Sequence, residues 1–408
     1  MPFNRTINLS FAKFLLLIIF AFGISFPGYS QQNISDYLIY TGQGGPGTTV
    51  PGFPGYGVQA SSSTSLNGTV GTMADLSTTG NSSIIGDIHV GGTISIANSN
   101  VLTGNISAAN NLSVTGNSIS IGSSASIDGN LDANGNVQVG GGFVNGVVTI
   151  GSSFIYNGPT PSGGIVNGTP NLPNLPSLPT PTVFPAHGSA NVTGTTTITP
   201  GSYGDMILTG KKRLTFDGPG VYVFKSIQNS GNANTFRFNF QNDPYGVFLI
   251  YIHNDVDLNK VDAILLNGGS ASRIYAETHG TGSTSSSGYD AWVMANGGSG
   301  KNSNSKWLGT IYAPYGALNI GSGTGSSSLT GAFWSGTQVV VKSGVNLIHA
   351  PFVQCVTPDA NAGLDKELTC TITSMQLSGS SSNSGAQFNW TTIGGNIVSG
   401  GNTATPTI

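Results

Sequence analysis

The sequence predicts an all-β protein built as a parallel β-helix, also called a β-solenoid, and three observations support this. Glycine is abundant, at 61 of 408 residues, alongside many serines, threonines and asparagines, a composition that favours tight turns. Valine and isoleucine recur in short apolar–x–apolar units, the alternation of a strand with one buried face. Helical spacing is absent, and glycine this frequent would break helices.

The clearest repeats lie between residues 84 and 150; from residue 112 onward the units start at steps of six or seven residues, and turn-forming clusters separate them. Such strands are too short for an ordinary hairpin sandwich, but three of them fit one solenoid coil of about 18 residues. We therefore expect stacked coils over 61–158, with a low-complexity linker as the alternative. The residues expected to point into this core are Leu112, Val114, Ile119, Ile121, Ile127, Leu131, Val137 and Val139.

The N-terminal segment, residues 1–30, has the pattern of a secretory signal peptide: a basic start, the apolar run 14–22 and a small-residue exit. An uncleaved anchor is the alternative. No later run reaches the roughly 18 apolar residues of a membrane span, so we expect a secreted mature chain without a transmembrane segment, associated with the cell surface. Residues 31–60 are expected to form a Gly/Pro-rich leader.

Charge is scarce, with 13 basic and 16 acidic residues and a net charge of −3. Nucleic-acid binding needs a basic field that displaces counterions, and a polybasic membrane patch needs clustered lysine and arginine. The composition therefore argues against both kinds of partner.

A proline-rich segment, 159–186, separates two stretches of strand-like sequence. Proline cannot donate to a sheet and biases its neighbours towards extended geometry. We expect a semi-rigid linker, or a strap lying on the solenoid surface, and place a domain boundary here. The following segment, 187–353, has more aromatic residues and longer loops, and we expect a larger β-helix domain in it.

Several stretches of this second segment carry a family resemblance: ITPGSY, LTFDGPGVYVFK, YGVFLIYIHNDVDL, WLGTIYAPYGALNIG and LTGAFWSGTQVVVKSG. They resemble a family of bacterial β-helix domains of unknown function in secreted, surface and pilus-associated proteins, and more loosely the secreted ice-binding β-solenoids. The shared residues are glycines and core aliphatics. The resemblance therefore implies a fold more than a function.

The C-terminal segment, 354–408, resembles the PKD-like, immunoglobulin-type repeats of large bacterial surface proteins, on ANAGLDKELTC, LSGSSS and FNWTT. This implies an incomplete immunoglobulin-like β-sandwich with Trp390 in its core, since a whole sandwich needs about 100 residues. Cys355 and Cys370 are close enough in sequence to form a disulfide in an oxidising compartment. Pairing of Cys370 with a cysteine outside this sequence is an equal alternative.

Residues that could carry chemistry are few. His253, Asp255 and Asp257 alternate in YIHNDVDLN, so one strand would project them from one face about 7 Å apart. That suits Ca²⁺ binding or catalysis, while a solvated outer face is the simpler interpretation. Glu277 and His279 alternate in the same way and are a second candidate pair for lining a groove. We assign no catalytic residue and no cofactor, and expect a protein that is not an enzyme.

The function expected from these features is a secreted cell-surface structural or adhesive module. Its rigid β-solenoid would attach to glycan, matrix or partner surfaces. The first alternative is an ice-binding β-solenoid, although the outward residues are serine and glutamine rather than a threonine ladder. The second is a polysaccharide-active β-helix enzyme, which would need clustered carboxylates on one face.

Overall fold

The structure is a computed structural model, and it divides into two compact units, Met1–Phe352 and Val353–Ile408. In the described part of the chain, helix is limited to the 3₁₀ turns Ile34–Asp36 and Ala271–Arg273. No helix there is long and apolar enough to cross a membrane. The described residues are 32–42, 56–111, 116–230, 234–243, 245–285, 287–294, 306–321, 327–353, 361–364, 366–381, 388–392 and 395–408.

The first half of the larger unit contains eighteen short strands in its described residues. They are β1 Tyr37–Thr41, β2 Tyr56–Ala60, β3 Ser65–Asn67, β4 Thr69–Thr72, β5 Asp75–Thr78, β6 Ser83–Ile85, β7 Ile88–Val90, β8 Ile94–Ile96, β9 Val101–Thr103, β10 Ile106–Ala108, β11 Asn117–Ile121, β12 Ser126–Asp128, β13 Leu131–Ala133, β14 Asn136–Val139, β15 Phe143–Val144, β16 Val148–Ile150, β17 Tyr156–Asn157 and β18 Ile165–Asn167.

The second half contains strands that are mostly longer. They are β19 Val192–Thr193, β20 Thr196–Ile198, β21 Gly201–Ser202, β22 Asp205–Thr209, β23 Arg213–Asp217, β24 Gly220–Phe224, β25 Ser226–Ser230, β26 Asn234–Asn239, β27 Phe248–Ile252, β28 Val256–Leu258, β29 Val261–Leu266, β30 Ile274–Thr278, β31 Asp290–Met294, β32 Lys306–Leu308, β33 Thr310–Ala313, β34 Ala317–Ile320, β35 Ser327–Gly331, β36 Phe333–Ser335, β37 Val339–Val341 and β38 Val345–His349.

These strands form three long sheets, and their pairings are parallel. The first sheet has the order β18-β16-β13-β10-β7-β4-β1-β36-β33-β30-β27-β24-β21. The second is β17-β14-β11-β8-β5-β2-β37-β34-β31-β28-β25-β22-β19, and the third is β15-β12-β9-β6-β3-β38-β35-β32-β29-β26-β23-β20. Each coil contributes one strand to each sheet, which confirms the predicted parallel β-helix.

The strand order places β1, the first described strand, in the middle of the solenoid. From β1 the chain coils to one end at β18, crosses to the opposite end, and coils from β19 back towards β1. Strands β36, β37 and β38 then pair with β1, β2 and β3. We call this contact the joint. It makes one continuous solenoid from two halves that lie far apart in sequence.

The interior of the first half consists of small aliphatic side chains stacked in rows. Residues one coil apart, such as Ile88 and Ile106, are register neighbours, and side-chain hydrogen bonds also join residues 18 apart in sequence. The structure places six of the predicted core residues here, each at most 2% exposed: Ile119, Ile121, Ile127, Leu131, Val137 and Val139. Leu112 and Val114 lie outside the described residues.

Glycine is required where the third sheet turns into the first. Gly86 has φ +141°, and a Cβ there would come within 2.6 Å of the Gly68 carbonyl carbon on the next coil. Next to this corner a ladder of side-chain acceptors links successive coils, and it begins at a carboxylate: the Asn105 N–H donates to Asp87 Oδ1 at 2.7 Å. The Asn130 backbone N–H donates to Asn105 Oδ1 at 3.0 Å, and the Val147 N–H donates to Asn130 Oδ1 at 2.9 Å. The glycine- and asparagine-rich turns therefore hold one coil on the next.

Two segments differ from their sequence-based assignment. The boundary expected at 159–186 does not divide the fold, because the segments on either side share all three sheets and one compact unit. The expected leader, 31–60, contributes β1 and β2 to the centre of the solenoid, and every residue of β1 is buried. The reason is physical: without β1–β3, the edge strands β36–β38 would keep a row of unpaired backbone groups.

The smaller unit, Val353–Ile408, shows isolated antiparallel bridges rather than sandwich strands in its described residues. Trp390 is half-buried, and its indole N–H donates to the Thr403 carbonyl at 2.9 Å. The immunoglobulin-like sandwich stays a prediction. Cys370 is exposed, while Cys355 lies outside the described residues, so their pairing also stays untested. The predicted signal peptide, 1–30, lies outside them as well.

Candidate functional site

In the middle of the first sheet, outward side chains are buried although they point away from the solenoid core. Tyr40, Trp334 and Tyr312 occupy successive strands in register and are 0%, 4% and 2% exposed. They are covered by the segment 169–187, which we call the strap. The sequence predicts either a semi-rigid linker or a strap for this proline-rich segment, and the structure shows a strap lying on the solenoid surface.

Between residues 171 and 183 the strap is exposed at every third residue, which is the period of a polyproline II helix. One turn of such a helix advances about 9.3 Å, close to two sheet spacings of about 4.8 Å. Because Leu-Pro repeats every three residues, the same side of the strap faces every second strand of the first sheet. The exposed positions are Asn171, Asn174, Ser177, Thr180 and Val183.

Two tyrosines of the first sheet bind the strap backbone at this spacing. The Tyr40 hydroxyl donates to the Pro176 carbonyl at 2.5 Å, and the Tyr312 hydroxyl donates to the Pro179 carbonyl at 2.7 Å. Burial raises the pKa of both phenols, so both remain donors at neutral pH. Leu175 packs against the same aromatic cluster. The strap is thus bound as a proline-rich peptide ligand would be.

Glu277, one of the predicted groove residues, anchors the strap and is 0% exposed. Its carboxylate accepts hydrogen bonds from the Thr182 backbone N–H at 2.8 Å and the Thr182 hydroxyl at 2.7 Å. The Tyr275 hydroxyl and His279 Nε2–H complete the set at 2.8 and 3.0 Å, and Phe184 stacks on His279 with ring centroids 3.8 Å apart. This carboxylate is enclosed by four donors and is not open to a substrate.

His253, Asp255 and Asp257 do not share one strand, contrary to the expectation. Strand β27 ends at Ile252 and β28 starts at Val256, so His253 and Asp255 lie in the corner between two sheets. His253 Nε2–H donates to the Pro185 carbonyl of the strap at 3.0 Å. Among the described residues, no group of three or more His, Cys, Asp or Glu side chains has metal-binding geometry.

Asp255 organises the loop that follows β30. Its carboxylate accepts the Gly282 N–H at 2.7 Å, the Thr284 N–H at 3.0 Å and the Thr284 hydroxyl at 2.5 Å. Three donors on one carboxylate fix the loop over the corner between β27 and β28. The role of Asp255 that this geometry shows is therefore structural.

An open polar groove of about 530 Å³ lies beside this loop, and Asp257 lines it. Lys225 and the Ser226 hydroxyl bind Asp205 at its edge, at 3.3 and 2.8 Å. Among the described residues Asp257 has no hydrogen-bond partner, and partial burial raises its pKa. A single available carboxylate differs from the pair that glycoside hydrolysis uses.

The third sheet presents a regular, uncovered surface in the described part of the chain. From β12 to β35 its strands alternate outward–inward–outward, so each of these coils offers two outward side chains. We call six coils of it the open face. One row contains Ser126, Val101, Ser83, Ser65, Asn346 and Ser328, and the other contains Asp128, Thr103, Ile85, Asn67, Ile348 and Thr330.

The open face combines small polar groups with exposed aliphatic ones. Val101, Ile85 and Ile348 are 51%, 49% and 37% exposed. Only Asp128 carries a charge among the twelve side chains. The outward side chains repeat about every 4.8 Å along each row and about 6.6 Å between rows. The face therefore has a two-dimensional repeat and little charge.

Comparison with known proteins gives one structural match. No family model matches the chain, and no curated protein sequence is significantly similar to it. An ice-binding protein from an Antarctic bacterium, Flavobacteriaceae, matches in structure at 12% identity, over 78% of this chain and 97% of that one, with a TM-score of 0.23. Similarity this low carries no functional argument, so the interpretation rests on the geometry described above.

The sequence analysis missed the tyrosine pair, Tyr40 and Tyr312, and the open face. The three-residue Leu-Pro period in the strap was a usable signal, because it predicts a polyproline II helix with one apolar side that needs a partner. The outward–inward–outward alternation was also visible in single strands. Nothing local shows which strands become neighbours, so the two rows could not be assembled from sequence.

Proposed function

We propose that this protein is a secreted cell-surface structural module that attaches through the open face to an extended extracellular surface of glycan or matrix. The observation that carries the proposal is the two-row array, which is uncovered over six coils and nearly uncharged. A binding surface for a repetitive partner needs many weak, evenly spaced contacts rather than one deep pocket. Backbone pairing along three sheets holds that spacing rigid.

The composition of the face suits a glycan-rich partner. Serine, threonine and asparagine side chains donate and accept hydrogen bonds. Burial of the aliphatic groups between them against a partner is favourable because it removes apolar surface from water. With little charge to be screened, attachment through this face should depend weakly on salt.

Ice binding is the second candidate function, and one feature of the face favours it. A plane of an ice crystal is a regular lattice, and the open face offers an array with regular spacings in two directions. The mixture of serine, asparagine and isoleucine is less uniform than a row of a single residue type. We therefore rank ice binding below attachment to glycan or matrix.

Catalysis is not part of the proposal. The carboxylates of Asp255 and Glu277 are held by three and four donors, and a substrate would have to displace those bonds. Among the described residues of the groove, the other two carboxylates, Asp205 and Asp255, are held by hydrogen bonds, so neither is available to share proton transfer with Asp257. We propose that the Asp257 carboxylate is solvated in the groove and takes no part in catalysis.

A charge-insertion experiment tests the function. The double variant Ile85→Glu with Ile348→Glu places two carboxylates two coils apart on the open face. The matched control, Ser77→Glu with Ser120→Glu, places two at the same separation on the second sheet. Binding of the purified chain to a panel of polysaccharides and to bacterial cell envelopes is measured beside thermal hysteresis and ice-recrystallisation inhibition.

We expect the open-face variant to lose at least about tenfold in affinity for the polysaccharide or envelope that the unmodified chain binds, about 1.4 kcal/mol. The control should retain that affinity. Loss of ice activity alone would select the second candidate. Equal binding by both variants, or binding to none of these surfaces, would refute the proposal for the open face.

A further inference from the structure

The joint is the one place in the solenoid where neighbouring coils belong to different halves of the chain. Three parallel strand pairs form it, with Ile39 beside Phe333, Val58 beside Val339 and Leu66 beside Leu347. Backbone hydrogen bonds cross it as they cross any other pair of coils: the Gly42 N–H donates to the Ser335 carbonyl at 3.0 Å.

The two surfaces that meet at the joint are complementary. Strands β36–β38 offer one edge of three parallel sheets, and β1–β3 offer the opposite edge of the same sheets. An unpaired edge of this kind is a template for another strand of the same direction. Either edge would therefore accept the matching edge of a second copy with the same register and the same side-chain contacts.

Only the strap links the two halves covalently within the solenoid, and it is long enough to let them separate. The first sheet has 13 strands, so with spacings of about 4.8 Å the strap must run about 58 Å along the solenoid axis. From Asn167 to Val192 an extended polyproline II chain reaches about 78 Å. The excess allows a sideways offset of about 50 Å, more than the width of a neighbouring solenoid.

The strap also fastens the joint in the single chain. Tyr40 lies on one side of it and Tyr312 on the other, with β36 between them, and both hydroxyls bind strap carbonyls. Leu175 and Leu178 pack on the same cluster. Contacts with the strap thus favour closure of the joint within one chain, and their loss removes that preference.

We propose that the joint also forms between two copies of this chain. The first half of each copy stacks on the second half of the other, giving a reciprocally exchanged dimer with two complete solenoids joined by two straps. Closed two-fold exchange of this type uses an interface that the single chain already contains. The inference does not depend on the proposed attachment function, although a dimer would present two open faces and so bind a repetitive surface with higher avidity.

A disulfide across the joint distinguishes the two arrangements. Ser65 and Asn346 are register neighbours with outward side chains. Their Cα separation of about 4.8 Å lies within the range that a disulfide spans. Ser65→Cys with Asn346→Cys is made in the full chain with Cys355→Ser and Cys370→Ser. The protein is refolded at several concentrations, oxidised and run on a non-reducing denaturing gel. A joint closed within one chain gives a cross-linked monomer, and an exchanged joint gives a covalent dimer.

We expect the ratio of covalent dimer to cross-linked monomer to rise about tenfold for a tenfold rise in protein concentration while dimer is the minor species. The control pair, Ser83→Cys with Val101→Cys, joins neighbouring coils of the same half and should give cross-linked monomer alone. Adding Leu175→Ser and Leu178→Ser should raise the dimer fraction further. Cross-linked monomer at every concentration with the intact strap would overturn the inference, and so would covalent dimer from the control pair.

Discussion

The two halves of the solenoid share three sheets but differ in what fills them. In the first half, side-chain hydrogen bonds between adjacent coils repeatedly span 18 residues, and the interior is isoleucine, valine and leucine. In the second half, comparable bonds span 20, 22 and 28 residues. A cluster of aromatic rings fills this wider interior.

The second half has mostly longer strands and larger side chains in its interior. Phe238 stacks on Phe216 with ring centroids 4.9 Å apart and meets Phe248 edge-on at 5.3 Å. Trp292 and Trp307 pack nearby, edge-on at 5.3 Å. Rings of this size need longer strands around them, and the longer coils then leave room for loops such as the one that Asp255 fixes.

The largest expected effect comes from truncating one ring. Phe238→Ala should lower the free energy of unfolding by about 3–5 kcal/mol, because the cavity it leaves is lined by rigid rings. Stability in stacked folds depends on neighbouring units, so the loss of hydrogen-exchange protection should concentrate in the second half. Ile119→Ala should instead lower hydrogen-exchange protection mainly in the first half.

Tyr245→Ala is the control for this pair, since Tyr245 is 70% exposed and should change stability by less than about 0.5 kcal/mol. If Phe238→Ala and Ile119→Ala lowered protection equally in both halves, the halves would unfold together. The two halves would then differ in composition but not in how they unfold.

The strap anchors give the next largest effect, and they too differ between the halves. Every group that meets Glu277 is a donor, so Glu277→Gln turns an amide N–H₂ towards at least one of them and should cost about 1–3 kcal/mol. In the first half Asp132 Oδ1 accepts the Asn171 N–H at 2.7 Å, and Asp132→Asn keeps that acceptor. Urea unfolding and limited proteolysis of the strap measure the effect of both variants. Equal losses of stability in Glu277→Gln and Asp132→Asn would contradict the expected difference between the two anchors.

Sequence reasoning succeeded where periodicity is strict. The alternation around Ile119, Ile127 and Val137 predicted stacked coils, because small aliphatic residues at a short, nearly fixed spacing leave few other solutions. It failed at the run Tyr37–Thr41, where inward and outward residues are both buried and alternation disappears. The strap hides the outward residues there, and its coverage depends on contacts more than a hundred residues apart in sequence.

Dependence on contacts between residues distant in sequence also explains why the arrangement of the candidate site was not predicted. The alternation of His253, Asp255 and Asp257 predicted one face of one strand, but a corner between two sheets interrupts it. The donors around Glu277 come partly from the strap, 95 residues away. Single-strand parity could not reveal either the corner or the buried partners.

Acid should destabilise the solenoid through one histidine in each half. Burial lowers the pKa of His89 and of His349, with Asp87 and Asp36 partly opposing it. Both folded-state values lie below the unfolded value of about 6.5, so the unfolded chain takes up protons first. Stability should fall as the pH drops through about 6.5 towards the lowered values.

The melting temperature measured between pH 7.5 and 5 checks this effect. His89→Gln and His349→Gln should each flatten the slope, and the double variant should flatten it most. A slope unchanged in all three variants would mean that other groups carry the acid sensitivity. A larger change from one histidine would show which half limits stability in acid.

The smallest expected effect on stability lies on the open face, where both halves contribute to one array. Ser83→Ala in the first half and Ser328→Ala in the second should each change the free energy of unfolding by less than about 0.5 kcal/mol, because each side chain is partly exposed and the backbone pairing beneath it is unchanged. Thermal unfolding would record this as a shift of no more than about 2 °C.

Surface residues that can be replaced without loss of stability are available for binding, so a neutral result keeps the face open to the proposed role. A loss above 1 kcal/mol in either variant would identify these rows as structural hydrogen-bond ladders. The two halves would then be joined by their outer rows as well as by their core.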